Sequence, residues 1–549
     1  MGLSREVMDV ALMRLWLKRC RDVIKLSCED LNVLDTASMR QGMLRGNTGT
    51  HALLTLTQAY KASKDATSIG ELCSVVAHQT GMYPHGMFGI LFASACAHAA
   101  KLWPNNLELR PIDLRDFLRT LPEAWEELTG VTHSFTAVTA SRTVAEFVET
   151  STSVITISWL VGQVIVALTT DLVTQEEDDS TGIDAGTAVF LLMAACLADL
   201  REKESWEADN RHVDSAMELV SRYAAALDTD RVPVHPVSQV EFEVTYLFEG
   251  TPQDLKVEKK RIGPHCSRLA ILGEVSAFGL GFWTLQAHTH SPLNVVRTGS
   301  ATIRALARPL NQYPIRSASP LETDYSRFDN VIALAPKEDL RIPQLNDEET
   351  VGIIAVTRAP GLVESLARTG ALVVFNPTSH DSISWALVSN PARHLVLFPC
   401  DFEALQLCTW ATGIDADKPG TRTIASSQDE IGVLAGVEEL SSWVGQPWVQ
   451  RGSEEDINEG IETELQSFAV RCQTVQLRQA TRAVQLLEEL LVSIGERAGI
   501  LHVILSSEEH GETKAVIEAH LSQRHLTNAE VIVRFGGQSG PTVIGFVRQ

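Results

Sequence analysis

His288-Thr289-His290 lies where the chain reads as strand, and alternate residues of a strand share a face, so two imidazoles there can point at one metal ion. A second set of polar residues follows short apolar runs farther along: Thr357, Arg358, Asn376, Thr378, Cys400 and Asp401. Doubly wound sheets place ligands at the carboxyl ends of their strands, which makes these six candidates for binding. Cys400 and Cys408, across a strand end and a helix, read as core thiols. The nine cysteines fall at no metal-ligand spacing, and their odd number fits free thiols in a reducing compartment.

The chain that carries these groups has 549 residues, room for three or four domains, and a formal charge of −23. That acidity argues against nucleic acid or an anionic membrane surface as a partner. With 44% apolar and 21% charged residues the composition is that of a globular protein. An acidic residue within the first six argues against a signal peptide, and position six lacks the Ser or Thr of a myristoylation signal. Ser153–Thr169 is the most apolar stretch, but it is short for a bilayer and contains Ser, Thr and Gln, so it reads as a buried helix. A cytoplasmic protein without membrane insertion is expected.

Residues 1–205 read as successive helices: Glu6–Leu26, Ala52–Lys64, Ile69–His78, Phe88–Lys101, Ile112–Thr120, Val144–Val173 (as two) and Ala185–Lys203, an antiparallel bundle or barrel. A helical linker follows over 206–232. Alternation over Val240–Phe248, with strand-like Arg268–Leu272 and Gly281–Ala287, marks a small α/β or α+β domain at 233–312. A Pro- and Ser-rich linker covers 313–349. From 350 to 549, apolar runs alternate with helical stretches, as in a parallel doubly wound sheet, and a second lobe opens with a long helical region from Ser453 to about Ala498. That lobe closes with a helix at His510–Arg524 and two strands joined at Gly536-Gly537.

Read in order, several motifs resemble one family, the fatty acid kinase A-like group, whose N-terminal domain is the ATP-binding helical barrel of dihydroxyacetone kinases (the DhaL type). Leu31-Asn32-Val33-Leu34 followed by Gly46-Asn47-Thr48-Gly49-Thr50-His51 is similar to the family's L-N-V-F…D-G-D-T-G-T-N. Gly86-Met87-Phe88-Gly89-Ile90-Leu91 is similar to G-N-S-G-V-I-L, and Ile183-Asp184-Ala185-Gly186 to V-D-A-G. Ala287-His288-Thr289-His290-Ser291-Pro292 resembles the middle domain's H-V-H-T-N-D-P. Asn376-Pro377-Thr378 and Phe535-Gly536-Gly537-Gln538 resemble the N-P-S and Y-G-G-Q of its C-terminal, DegV-like domain. The resemblance implies an all-α barrel, a small middle domain and a two-lobed α/β domain. It also implies a nucleotide site at Arg45, Asn47, Thr48, Gly49, Thr50, Gly86, Asp184 and Gly186.

In the family the carboxylates of D-G-D hold magnesium ions on the phosphates of ATP, since hard Mg²⁺ takes oxygen ligands and phosphoryl transfer is mostly positioning and charge neutralisation. Here those positions carry Arg45 and Asn47, and no acid occurs between Thr36 and His51. A cation in place of a carboxylate repels the metal by about as much as one lost Asp attracts it, on the order of 4 kcal/mol per unit charge at an effective dielectric of about 20. Met87 and Phe88 replace polar side chains, and Val189 replaces a glycine. The expectation is a degenerate Mg-ATP site in a scaffold or ligand-binding protein. The alternative is an active kinase in which Asp30, Asp35 or Asp184 supplies the carboxylates for ATP and Mg, acting on a protein-carried fatty acid or a dihydroxyacetone-like ketose. Arg45 as a metal-free phosphate clamp is a third reading, set against Arg45 simply pointing into solvent. The family's zinc ligands carry over to Glu243, Gln286 and His288, with His290 as a substitute. Two partly exposed histidines without zinc is the expected state. The implied partner is an acyl-carrying fatty-acid-binding protein, and a homodimer stays open.

Overall fold

The computed structural model describes residues 7–38, 48–129, 136–149, 156–177, 184–202, 210–226, 241–275, 280–296, 302–309, 351–390, 394–414, 421–427, 429–441, 454–477, 499–506, 529–538 and 542–548, with a few isolated positions. The protein is multidomain, a helical part followed by α/β structure, and divides into two compact units. One comprises Met1–Ser238 with Ser267–Ala287, the other Gln239–Cys266 with His288–Gln549.

The helical unit contains α1 (Val10–Leu26), α2 (Cys28–Ser38), α3 (Thr48–Ala62), α4 (Ile69–Met82), α5 (Gly86–Leu102), α6 (Pro111–Thr129), α7 (Thr136–Glu149), α8 (Ile157–Glu177), α9 (Ala185–Glu202) and α10 (Arg211–Ala226). Two short strands, β1 (Met8–Asp9) and β2 (Glu108–Leu109), pair antiparallel. Caps define several of the starts. Asp9 accepts the Leu12 N–H at 2.8 Å, and Ser68 accepts that of Glu71 at 3.1 Å. Asp199, fully buried on α9, takes the His212 and Val213 N–H groups at 3.0 and 3.1 Å, tying the start of α10 to the bundle. α1 buries one apolar stripe, Met13, Leu17, Cys20 and Ile24, whereas α5 is buried on all sides from Phe88 to Ser94.

The helix read from Ser153–Thr169 is buried on one side only. Ile157, Leu160, Val161, Leu168 and Leu172 join the core, while Val166 and Val173 are exposed. Its segment Ile157–Thr174 is the one helix among the described residues long and apolar enough to cross a membrane, and a third of it is buried inside the molecule.

After these helices come β3 (Phe242–Gly250), α11 (Pro252–Ile262), β4 (Cys266–Val275), β5 (Gly281–Thr289), the single turn α12 (Pro292–Val295) and β6 (Thr302–Pro309). The expected middle domain is divided between the two units. On the helical side, Ala270 and Leu272 of β4 pack with Ile90, Leu91, Leu121 and Trp125, and the Thr284 hydroxyl donates to Gly81 O at 2.7 Å. The rest joins the α/β unit, where β6 pairs antiparallel with β3 on one edge. On its other edge β6 pairs with β8 (Leu372–Phe375), in the register Ala305↔Phe375. The linker read at 313–349 lies outside the described residues, but the strands on either side of it share a sheet.

From Val351 the chain alternates β7 (Val351–Thr357), α13 (Val363–Arg368), β8, α14 (His380–Ser389), β9 (His394–Phe398), α15 (Phe402–Ile414), β10 (Arg422–Ile424) and α16 (Glu430–Leu440). The order β10-β9-β7-β8, all parallel, confirms the doubly wound reading. β7, β8 and β9 are buried on both faces, which explains their unbroken apolar runs.

The long helical region read from Ser453 is broken by a strand, with helix again at the described positions 485, 488–490 and 492. After α17 (Glu454–Arg471) the chain becomes β11 (Cys472–Leu477), which pairs antiparallel with β14 (Thr542–Arg548). Together with β12 (Gly499–Leu505) and β13 (Ala529–Phe535) they form a four-stranded sheet ordered β11-β14-β12-β13. Because β12 lies between β13 and β14, Gly536-Gly537 is no hairpin turn. Both of its N–H groups donate to Leu505 O, at 2.9 and 3.1 Å. Helix α16 lies between the two sheets of this unit, Gly436 against the ring of Phe398 and Ile431 against Gly545. The helix read at His510–Arg524 lies outside the described residues.

Candidate functional site

The motif segments of the helical unit meet at helix starts. Asn32 on α2 spans the first turn of α3: its amide N–H₂ donates to Thr50 Oγ1 at 3.0 Å, and its oxygen accepts the Thr50 N–H at 3.2 Å. Gly49 is pressed so closely on Cys28 O that no side chain fits there. His51, next in the turn, is buried against Gly86, the first residue of α5, at φ 62. A Cβ at Gly86 would collide with the imidazole, so both the left-handed backbone and the close approach require glycine. One turn on, Thr55 lies against Gly89, so α3 and α5 run parallel and begin at the same end.

Helix α9 joins them through Phe190, whose ring is 5.3 Å from that of Phe88. Its own start, about 9 Å back along the helix, is capped by Asp184. One carboxylate oxygen, Oδ2, accepts both the N–H and the hydroxyl of Thr187, at 2.7 and 2.8 Å, and Gly186 closes against the same group.

Of the residues read as nucleotide contacts, Thr48, Gly49, Thr50 and Gly86 are thus brought together, with Asp184 and Gly186 on the neighbouring helix. Arg45 and Asn47 lie outside the described residues. Asp30 stands about 200° around α2 from Asn32, and so faces away from the α3 start. The side chain of Asp35 lies outside the described residues. Phe88 is buried in the core, stacked with Phe92 and tilted against Phe190. Val189 is buried as well.

His288 and His290 do not share a face. His288 is buried on β5 with Nε2 3.9 Å from Glu243 Oε2, while His290 lies past the strand end and is exposed. No group of three or more His, Cys, Asp or Glu suited to a metal occurs among the described residues.

The α/β unit gathers most of the strand-end candidates. Arg358, directly after β7, donates from Nε to Asp401 Oδ2 at 2.6 Å, from Nη1 to Asn376 Oδ1 at 3.1 Å and from Nη2 to Glu403 Oε2 at 2.8 Å. Burial disfavours the guanidinium charge, but the hydrogen bond and attraction of Asp401 outweigh it and raise the Arg358 pKa. Asn376 adopts φ 49, the one positive value at a non-glycine among the described residues, and its N–H donates to Thr357 O at 2.9 Å.

Beneath this group lies Glu430, buried at the start of α16. It accepts the Thr357 hydroxyl at 2.6 Å and the Arg358 N–H at 2.8 Å. Burial pushes its carboxyl up to about 7 against the pull of those two donors, and Asp401 and Asp429 add to the rise. The Cys400 and Cys408 thiols are buried and raised by desolvation, Cys408 to about 12, as core thiols should be. Thr378 is exposed on the loop after β8. The terminal glycine motif also reaches this edge, since Gly361 N donates to Gly536 O at 2.9 Å.

Sequence reasoning missed Asn32 as a contact, although it stands inside one of the motifs. It also missed Glu403 and Glu430, which carry no signal of their own because only the sheet brings them to Arg358. Comparison with models of known protein families and with characterised proteins gives no match for this chain.

Proposed function

We propose that this chain is a scaffold or ligand-binding protein of ATP-dependent phosphotransferase ancestry, with a DhaL-type helical unit whose Mg-ATP site is closed. The observation carrying this reading is His51. Its buried ring fills the junction of the α3 and α5 starts, the place where phosphate oxygens would need free N–H groups. The donor set around it supports the same reading and does not fit a pair of magnesium ions. Asn32 is committed to Thr50, and the Asp184 oxygen nearest the helix is committed to Thr187. Such a protein would work in the cytoplasm, with an acyl-carrying protein as partner or as a homodimer.

Titration calorimetry of the full chain with ATP, with and without magnesium, tests the proposal. The expected result is no metal-dependent heat and no phosphorylated product from a fatty acid carrier or dihydroxyacetone. Metal-dependent binding together with such a product overturns it.

The second reading, an active kinase with rearranged ligands, is favoured by one observation: Asp184 stands at the start of α9, the helix that meets α5 through Phe190 and Phe88. If it holds, Asp35→Asn and Asp184→Asn each abolish product while the fold is kept.

A further inference from the structure

In the sheet of the α/β unit, β8 lies on one side of β7 and β9 on the other. The chain therefore leaves β7 in one direction and returns past it in the other. At such a reversal the connections diverge and open a crevice at the carboxyl ends, where α/β sheets bind their ligands. Arg358 follows β7 and Asp401 follows β9, so the guanidinium stands at this crevice.

Its three partners are held very differently. Asp401 is fixed, because its other oxygen caps α15 by accepting the Ala404 N–H at 2.7 Å. Asn376 is fixed by its left-handed backbone and its bond to the end of β7. Glu403 is two-thirds exposed, on the first turn of α15, and its bond to Nη2 is that of a surface ion pair. Such pairs are worth about 0–1 kcal/mol, since water and counter-ions replace them readily. Arg358 is thus oriented by two anchored acceptors, and the last edge of its fork is covered by a side chain free to swing away.

We propose that Arg358 anchors a binding site for an oxyanion, a carboxylate or a phosphate, in which the Glu403 carboxylate occupies the ligand's place until displaced. With Nε and Nη1 held by Asp401 and Asn376, the donor that Glu403 vacates is Nη2, and a charged N–H held in a fixed direction suits an oxyanion oxygen. A cationic ligand would meet the guanidinium head-on. The first turn of α14 follows Asn376 closely, and its cap residue Ser379 makes no side-chain cap bond, so the positive end of that helix favours an anion on the same side. Exchange of one carboxylate for another anion leaves the net charge of the crevice nearly unchanged. The site shares no residue with the helical unit, so it stands or falls independently of the kinase-ancestry reading.

Calorimetry of the full chain at low ionic strength, with inorganic phosphate and separately with acetate, tests it. Glu403→Gln should raise affinity for at least one probe by about fivefold, the value of a freed surface ion pair. Glu364→Gln, which removes a similar charge from the Arg368 pair on α13, should leave affinity within about twofold, the spread left by a distant charge. Arg358→Gln should abolish binding, and Arg358→Lys, which keeps charge but loses the fork, should weaken it. A gain confined to phosphate identifies a phosphate ligand, and a gain with acetate identifies a carboxylate. No gain in Glu403→Gln, an equal gain in Glu364→Gln, or no heat from either probe in any variant overturns the proposal. Should Arg358→Gln fail to fold, the contrast between the two glutamate variants still decides, because a gain of binding cannot come from misfolding.

Discussion

Both units bring several helix starts to one end, yet they finish that end in opposite ways. In the helical unit the space is filled by the chain itself. Asn32 satisfies the first turn of α3, the His51 ring packs on Gly86, and Asp184 is turned back onto α9. In the α/β unit the corresponding edge stays charged. Arg358 is half-buried among Asp401, Glu403 and Asn376, with the buried Glu430 behind it. A converging set of N–H groups is therefore not a ligand site in itself. What decides is whether the neighbouring side chains are committed to each other or left exchangeable, and among the described residues the second edge has the exchangeable partner, Glu403.

The sharpest way to break this contrast is Phe88→Ala. As a core ring stacked on Phe92 and Phe190, Phe88 should cost about 3–5 kcal/mol when truncated, read as lost stability of the helical unit in urea. If it blocked a nucleotide pocket instead, the variant would keep most of its stability and gain ATP binding.

The charged edge should show itself in pH. Glu430 has a folded pKa near 7, above its unfolded value, so its contribution is present below about pH 4.5 and is lost as pH rises through 7. His502, buried on β12 with a pKa lowered to about 4 by desolvation and by Arg534, works the other way: its contribution is lost as pH falls from about 6.5 through 4. Each is worth on the order of 3 kcal/mol, and between pH 4.5 and 6.5 they oppose each other. Melting temperatures across that window should therefore stay nearly level in the wild type. They should fall toward acid in Glu430→Gln and fall toward neutral pH in His502→Gln. Parallel curves for all three proteins would remove the basis for treating Glu430 as a buried, titrating group.

A smaller effect sharpens the closed edge. Gly86→Ala places a side chain at φ 62 against a buried imidazole and should cost at least about 2 kcal/mol, the left-handed penalty with the collision added to it. Gly162→Ala, inside α8 with open space around it, should be neutral or stabilising by comparison. The smallest expected change is at the exchangeable position: Glu403→Gln should alter stability by less than about 0.5 kcal/mol in thermal unfolding, as an exposed pair does.

The sequence by itself determined the kinds of element and most of their positions. Apolar spacing of three and four marks the helices that carry Leu17, Leu56 and Val76, and unbroken runs such as Val351–Val356 mark strands covered on both faces. Local periodicity also has blind spots. α2 escapes it because Cys28–Ser38 mixes acids with small residues, and β11 reads as helix because Cys472–Leu477 alternates only briefly after a long helical run. Tertiary structure alone decided which strands share a sheet, that β12 separates β13 from β14, and that residues 267–287 pack with the helices. It also decided that Glu430, 72 residues from Arg358, closes on it, and that Phe88 turns inward. The physical reason is the same in each case: periodicity records which face of an element is apolar, but not which other apolar face will cover it.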